Sequence, residues 1–446
     1  MFSLSANYLT RGFWGDEAWT SLISQLPYLQ MLKTTAADFH PPGYYTVVDL
    51  VYKFLPPTEV VTRSISIIFY FLTLFLVYKL ASEIKGKSFG WISTLVVAVN
   101  PIFFTYAFEA RNYTMFAFAA TGSIYFLVKL SALRQAQDKN NFWPSVLFVA
   151  FSTLGIYTHY YMFFTLFAQA LYLVVFDLKI FWRTFVLWII TAVSYLPWLP
   201  FLYGQVTSVG QSYWIGGIDK RTHFEALLRI LGGEHQNAAR VWLFGLSIIL
   251  LTIGILQHLL RHHFEKPYLL IWLWAIVPFI VATLPGLKID GVKLPFRPIF
   301  FWRYLIGASV PLAMVMVHTA GKFPKYMFGL GLGMLVGLSL VIDFLAFRRA
   351  PYTFREVYQQ QVLNQIQSDD KLVTVLPSFA EALYYRGRFG LDNELIVLPE
   401  GLVQFSGKSL LDAYAENGVV KIGEVPTDGR YFELRPGPSV EFTGKR

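Results

Sequence analysis

The sequence has no cysteine. Disulfides, iron–sulfur ligation and thiolate zinc sites are therefore excluded, while the compartment is left open. Charge is also scarce. Asp, Glu, Lys and Arg make up 15% of the 446 residues, against about a quarter in a soluble domain. Residues 88–108, 140–158, 184–218 and 267–287 contain none of the four, and a bilayer span needs about 20 apolar residues. There is no internal repeat, no nucleotide-binding glycine loop and no low-complexity stretch. With 55% hydrophobic and 18% aromatic residues, much of the surface must face lipid.

The net charge of +9 would point to nucleic acid in a soluble chain. Here Lys and Arg lie in short loops between apolar stretches, where membrane orientation needs them, so no nucleic-acid partner is implied. The pattern reads as about ten spans: 60–81, 88–107, 112–131, 143–157, 160–177, 184–202, 241–260, 267–285, 299–318 and 325–347. The loops holding Lys85, Lys87, Lys129, Lys139, Lys179, Arg183, Arg261, Lys266 and Lys322 are basic and fall on the cytoplasmic side by the positive-inside rule. The alternate loops then face outward, as does everything after residue 347. Residues 1–15 contain Arg11 and no apolar core, so neither a signal peptide nor a span is visible there. An exterior start of this kind predicts a further span upstream of this chain, which would bring the total to eleven.

The expected fold class is an all-α polytopic membrane protein with a small C-terminal α/β domain. Residues 1–58 form a first extracytoplasmic loop with juxtamembrane helices, 59–348 the transmembrane helical domain and 349–446 the tail domain. Within the tail, 354–367 reads as an amphipathic helix, 371–376 and 395–398 as strands, and 379–385 as a helix. Turns are expected at Asp428-Gly429 and Pro436-Gly437.

Nearly every unusual polar cluster falls in the outward set, near the membrane surface. Ionisable groups at that depth are costly unless paired or facing a wet cavity, which makes them functional candidates. Asp16 and Glu17 are adjacent carboxylates among aromatics; they could be a solvated pair at a helix start, or supply a general base. Glu109 and Arg111 could pair with each other, or Arg111 could meet a phosphate, for which its planar fork is suited. Arg303 could snorkel, although a phosphate partner explains an intramembrane arginine better. His40 and His159 fit packing roles, or a site with the carboxylates; a divalent metal stays open and none is firmly implied. Tyr44, Tyr113 and Tyr160 fit an interfacial belt or a face for stacking sugar rings.

Five segments in order, FWGDEAWT (13–20), DFHPPGYY (38–45), NPIFFTYAFEARNYTMF (100–116), YTHYYMFF (157–164) and FFWRYLIGASVPL (300–312), resemble the GT-C superfamily of polytopic glycosyltransferases. The likeness is to bacterial protein O-mannosyltransferase-like members, related to the aminoarabinose transferases. The resemblance implies Asp16 as catalytic base with Glu17 beside it, Glu109 and Arg111 as the acidic and basic residues of the next outer loop, and Arg303 as a donor-phosphate contact. It further implies inverting transfer of a hexosyl or pentosyl unit from a polyprenyl-phosphate sugar to a lipid, polysaccharide or protein acceptor, outside the cell (inner) membrane. His40, Tyr44, Tyr113, His159 and Tyr160 would then line the substrate site. The family's first span is missing, and the tail is variable among relatives. Two other classes remain open: a lipid or glycan flippase, against which stand the lack of two related halves and the clustering of charge at one surface, and a non-catalytic membrane subunit.

Overall fold

The computed structural model describes residues 7–135, 142–211, 215, 218–261, 266–286, 298–400 and 407–444. Three short helices open the chain: α1 (Gly15–Ile23), α2 (Tyr28–Ala36) and α3 (Gly43–Tyr52). The first long helix, α4 (Glu59–Lys85), shows how sequence sets its ends. Thr58 caps it by accepting from the Val61 amide, Glu59 lies in the first turn and Lys85 in the last, each favourable to the helix dipole. Gly86, at φ 88°, ends it.

The bundle continues through α5 (Lys87–Ala98), α6 (Pro101–Ala107), α7 (Tyr113–Gln135), α8 (Phe142–Thr158), α9 (Met162–Phe176), α10 (Leu178–Tyr195), α11 (Leu199–Gln211), α12 (Lys220–Gly232), α13 (Ala238–Arg261), α14 (Lys266–Thr283), α15 (Ser309–Ala320) and α16 (Lys325–Phe347). Among the described residues, six helices are long and apolar enough to cross a membrane, or seven if one bent pair counts as a span. The protein is a multi-pass membrane protein.

The expected ten spans need correction in three places. The 88–107 stretch is α5 and α6, bent by 67°. Asn100 restarts the helix by accepting from the Phe103 amide, and Pro101 occupies its first turn; proline fits there because it has no N–H to satisfy. The 299–318 stretch is a 3₁₀ segment, Trp302–Ala308, leading into the 12-residue α15. Helices α8 and α9, of 17 and 15 residues, reach only about 26 and about 23 Å at 1.5 Å per residue, short of a straight crossing. Hydropathy counts apolar length and cannot see these changes of direction.

After residue 353 the chain forms α17 (Phe354–Val357) and a π-helical turn, Tyr358–Val362, in place of the single helix expected over 354–367. Strand β1 (Lys371–Val375), helix α18 (Leu376–Arg388), β2 (Leu395–Leu398), α19 (Lys408–Glu416), β3 (Lys421–Ile422), β4 (Arg430–Arg435) and β5 (Ser439–Gly444) follow. The sheet order is β3-β2-β1-β4-β5. Its first four strands are parallel and β5 returns antiparallel across Gly437 at φ 85°, at the expected turn. This domain and helices α1–α3 share one hydrophobic core, in which Phe13, Trp19 and Leu22 join Phe379, Leu383 and Tyr384.

The N-terminal segment is pinned by Arg63, fully buried in α4. Its Nε and Nη2 donate to Glu17 at 2.8 and 2.6 Å, while its remaining N–H groups reach the carbonyls of Leu9, Arg11 and Gly12 at 2.6–3.0 Å. All five guanidinium donors are thereby used. Arg63→Met, which keeps the side-chain volume but strands Glu17 in the interior, should destabilise the protein by about 3–5 kcal/mol. Thermal unfolding of purified protein in detergent measures this, and an unchanged midpoint would remove Arg63 from the role assigned.

Candidate active site

At one end of the bundle, the starts of α4, α7 and α9, the end of α8 and the 3₁₀ segment at residue 302 converge. Lys85 and Lys129 lie at the far end of their helices. A cleft of about 360 Å³ opens here. One wall comes from Trp14, Gly15, Asp16 and Trp19 of the N-terminal segment, a second from Asp38, Phe39 and His40, and a third from Arg111, Tyr113, Phe301, Arg303 and Tyr304. Leu376, Pro377, Ala380 and Gly407 of the C-terminal domain close it.

Residues separated by almost 300 positions meet at Asp16. Its Oδ2 lies 3.5 Å from Arg303 Nη1 and 3.8 Å from Arg111 Nη2. Tight charge-assisted bonds are near 2.7–2.9 Å, so neither guanidinium is committed to this carboxylate. The Nε atoms of Arg111 and Arg303 are buried and have no hydrogen-bond partner among the described residues. Two guanidinium groups thus border a cleft that holds one half-exposed carboxylate.

Each cleft residue is held from behind. Arg303 lies over the rings of Trp14, Phe301 and Trp302 at 5.1–5.4 Å, a cation–π cage that replaces part of its lost hydration. The Arg111 carbonyl accepts from Ser66, which is bonded to Tyr44 Oη at 2.8 Å. Arg111 Nη2 is 3.3 Å from His40 Nε2, and His40 Nδ1 is 3.1 Å from Asp38 Oδ2. Arginine can only donate, so Nε2 presents its lone pair and the ring proton sits on Nδ1, toward Asp38.

Of the expected site residues, Asp16, His40, Arg111, Tyr113 and Arg303 border the cleft. The other five lie behind it. Glu17 is saturated by Arg63 and the Ala110 amide. Glu109 accepts from Arg11 at 2.6 Å, Trp14 Nε1 at 2.6 Å and Tyr8 at 3.2 Å. Both carboxylates, expected among the catalytic residues, are thus engaged by buried arginines, Arg63 for Glu17 and Arg11 for Glu109. Tyr44 supports Arg111 as described. Tyr160 donates to Gln205, whose amide donates to the carbonyls of Thr35 and His40. His159 accepts from the Tyr161 amide and stacks on Phe116 at 5.1 Å, with Tyr304 against its edge. Burial, then the fields of His40 and Arg111, pushes its pKa down to about 3, so it packs as a neutral ring.

Sequence reasoning missed Trp14, Asp38, Tyr304 and the C-terminal wall. The first three adjoin flagged residues and share their segments. The last carries no motif at all. Among the described residues, no three His, Asp or Glu side chains are grouped closely enough to hold a metal ion.

A family model described as dolichyl-phosphate-mannose-protein mannosyltransferase matches residues 39–203. No curated protein sequence matches the chain. Among solved structures, ArnT from Cupriavidus metallidurans bound to undecaprenyl phosphate is similar at a TM-score of 0.65 and 12% identity, covering 96% of this chain and 90% of that one. Its apo form gives 0.63. The Archaeoglobus fulgidus oligosaccharyltransferase in the apo form is similar at 0.55 and 11% identity, over 100% of this chain and 72% of that one.

The division of carboxylates has a measurable signature. Asp16→Asn alters a half-exposed group without a tight partner and should shift stability by less than about 1 kcal/mol. Glu109→Gln leaves buried Arg11 without its counter-charge and should cost more than about 2 kcal/mol. Thermal midpoints of the two variants in the same detergent test the ordering; equal shifts would refute it.

Proposed function

We propose that this chain, whose GT-C fold relates it to the aminoarabinose transferases, is a glycosyltransferase that moves a sugar from a polyprenyl-phosphate carrier to an acceptor hydroxyl. One observation carries the reading: Asp16 meets Arg111 and Arg303 in a single cleft, and neither arginine is held tightly by that carboxylate. ArnT, similar in fold, is a protein solved with undecaprenyl phosphate bound, and a lipid-linked phosphate suits the two guanidinium groups here. The short basic loops at the opposite end of the bundle support an extracytoplasmic cleft.

The chemistry follows from the geometry. The donor's phosphate sits between Arg111 and Arg303, which stabilise the negative charge gathered as the bond from anomeric carbon to phosphate oxygen breaks. That leaving group takes the bonding electrons and needs no general acid. Asp16 accepts the proton of the acceptor hydroxyl as its oxygen forms the new bond to the anomeric carbon. Attack opposite the departing phosphate inverts the anomeric configuration. His40 limits the swing of Arg111, and Tyr113, Tyr304 and Trp19 offer faces to the sugar. A separate apolar cleft of about 450 Å³, bordered by Ile156, Phe163, Leu166, Trp188, Tyr195 and Leu202, has the lining to take isoprenoid chain.

Asp16→Asn should lower transfer from a polyprenyl-phosphate sugar by roughly 10²–10⁴-fold, the usual cost of losing a general base, with lipid-phosphate binding retained. Arg303→Ala should weaken binding of the lipid phosphate as well as transfer. Radiolabelled sugar transfer in reconstituted membranes reads both effects. A folded Asp16→Asn protein that transfers at the parent rate would overturn the base assignment, and movement of labelled lipid across the bilayer without transfer would favour a flippase instead.

A further inference from the structure

One buried ionisable group next to the cleft has no part in the mechanism above. Glu381 lies on α18, which packs against α1. A Cβ added to Gly15 would sit 3.6 Å from Glu381 Oε2 and 3.7 Å from Oε1. The carboxyl therefore backs directly onto the residue that precedes Asp16. Its Oε2 is buried without a hydrogen-bond partner among the described residues, while Ala380, its neighbour, borders the cleft itself.

We propose that Glu381 is a positioning residue through which the C-terminal domain acts on Asp16: its carboxyl packs behind Gly15 and fixes the corner of α1 that carries the Asp16 carboxylate. The inference rests on the reading of Asp16 given above. It assigns the tail domain a part in the site that no sequence motif announces.

The charge state of Glu381 matters to this role. Burial pushes its pKa up to about 8; the field of Asp16 adds to burial, while its own amide and that of Gly15 oppose it. Near neutral pH the group is mostly an uncharged acid and adds no charge behind Asp16. Above pH 8 a second negative charge appears behind Asp16, competing for the same positive field and repelling an incoming phosphate. On its own helix, Arg386 donates to the carbonyls of Asn393 and Val419 and Arg388 lies about two turns on at the helix end; Asp16 is the one charged side chain whose field acts on Glu381 among the described residues. Glu17 on α1 belongs to Arg63. Of the rest, Arg355 pairs with Glu356, Lys371 with Glu394, Arg430 with Asp370, Arg435 with Glu433 and Glu400, and Lys408 with Asp412; Tyr385 donates to Glu59.

The test uses the full chain in lipid nanodiscs, with undecaprenyl phosphate as the probe, and compares the parent with Glu381→Gln, which keeps the shape and removes the titration. Affinities should coincide at pH 6.5. At pH 9 the variant should bind roughly ten-fold more tightly, as expected for one unit charge acting at protein-like dielectric. Superimposable pH profiles would overturn the proposal. Hydrogen exchange across residues 13–23 in ligand-free protein, corrected for the intrinsic pH dependence, supplies a readout independent of the lipid. Between pH 7 and 9 protection there should fall in the parent and hold in Glu381→Gln; equal behaviour overturns the inference. If undecaprenyl phosphate binds to neither protein while the exchange difference appears, the donor reading fails and the positioning role of Glu381 stands.

Discussion

The ion pair between Arg63 and Glu17 is the constraint on which the site depends. Adjacent residues on a helix point about 100° apart, so α1 can commit Glu17 to the interior while turning Asp16 to the cleft. Arg63 then holds three backbone carbonyls of residues 9–12 as well as the carboxylate. A loop that would otherwise wander over the membrane surface is fixed to the first long helix. Glu109 adds a second anchor, because Tyr8, Arg11 and Trp14 all donate to it. Trp14 then sits beside Arg303, and Asp16 follows two residues later. The order of dependence runs from buried pair to loop, from loop to carboxylate.

This arrangement explains why the cleft can hold uncommitted charge. Buried carboxylates satisfied by buried arginines keep most of the ionic groups at this end of the bundle neutral in sum. The cleft itself is lined by two guanidinium groups, Arg111 and Arg303, and two carboxylates, Asp16 and Asp38. The Arg–Asp separations are loose because each arginine is fixed from behind by something else: Arg111 by its buried backbone and His40, Arg303 by three aromatic rings. Neither has to relax toward Asp16, so their donors stay oriented in advance of any ligand. Such preorganisation is the main source of electrostatic stabilisation in enzymes.

What the sequence made legible were the groups whose cost stands out locally. Asp16, Arg111 and Arg303 are ionisable residues in apolar or aromatic surroundings, and membrane physics alone singles them out. The roles of Glu17 and Glu109 were not legible, since the cations that claim them lie 46 and 98 residues away. Arg63 stands at the start of an apolar stretch, where an arginine looks like an ordinary interfacial anchor. The tail's strands β1 and β2 and its helix were visible from pattern. Its placement against α1 was not, because that contact is apolar packing between Phe13, Tyr384 and their neighbours, and apolar packing leaves no mark that names its partner. Span counting erred for a related reason: length and hydropathy are local, while a bend at Asn100 or a 3₁₀ segment at residue 302 is a change of direction.

Those two irregularities also deliver the arginines. Arg111 follows the short helix α6 that the bend sets apart, and Arg303 lies within the 3₁₀ segment. Regular helices crossing the bilayer would present both side chains at depths and angles dictated by the 3.6-residue repeat. Breaking the helix frees the backbone to aim them, at the cost of carbonyls and amides that must find partners without water. Irregular backbone at membrane depth is tolerated only where protein or a wet cavity satisfies it. Here the Asn100 cap, Ser66 at the Arg111 carbonyl and Tyr161 at the Ile299 carbonyl do so. The polar side chains that look scattered through apolar helices are thus the supports of the breaks, and the breaks bring two distant guanidinium groups to one carboxylate.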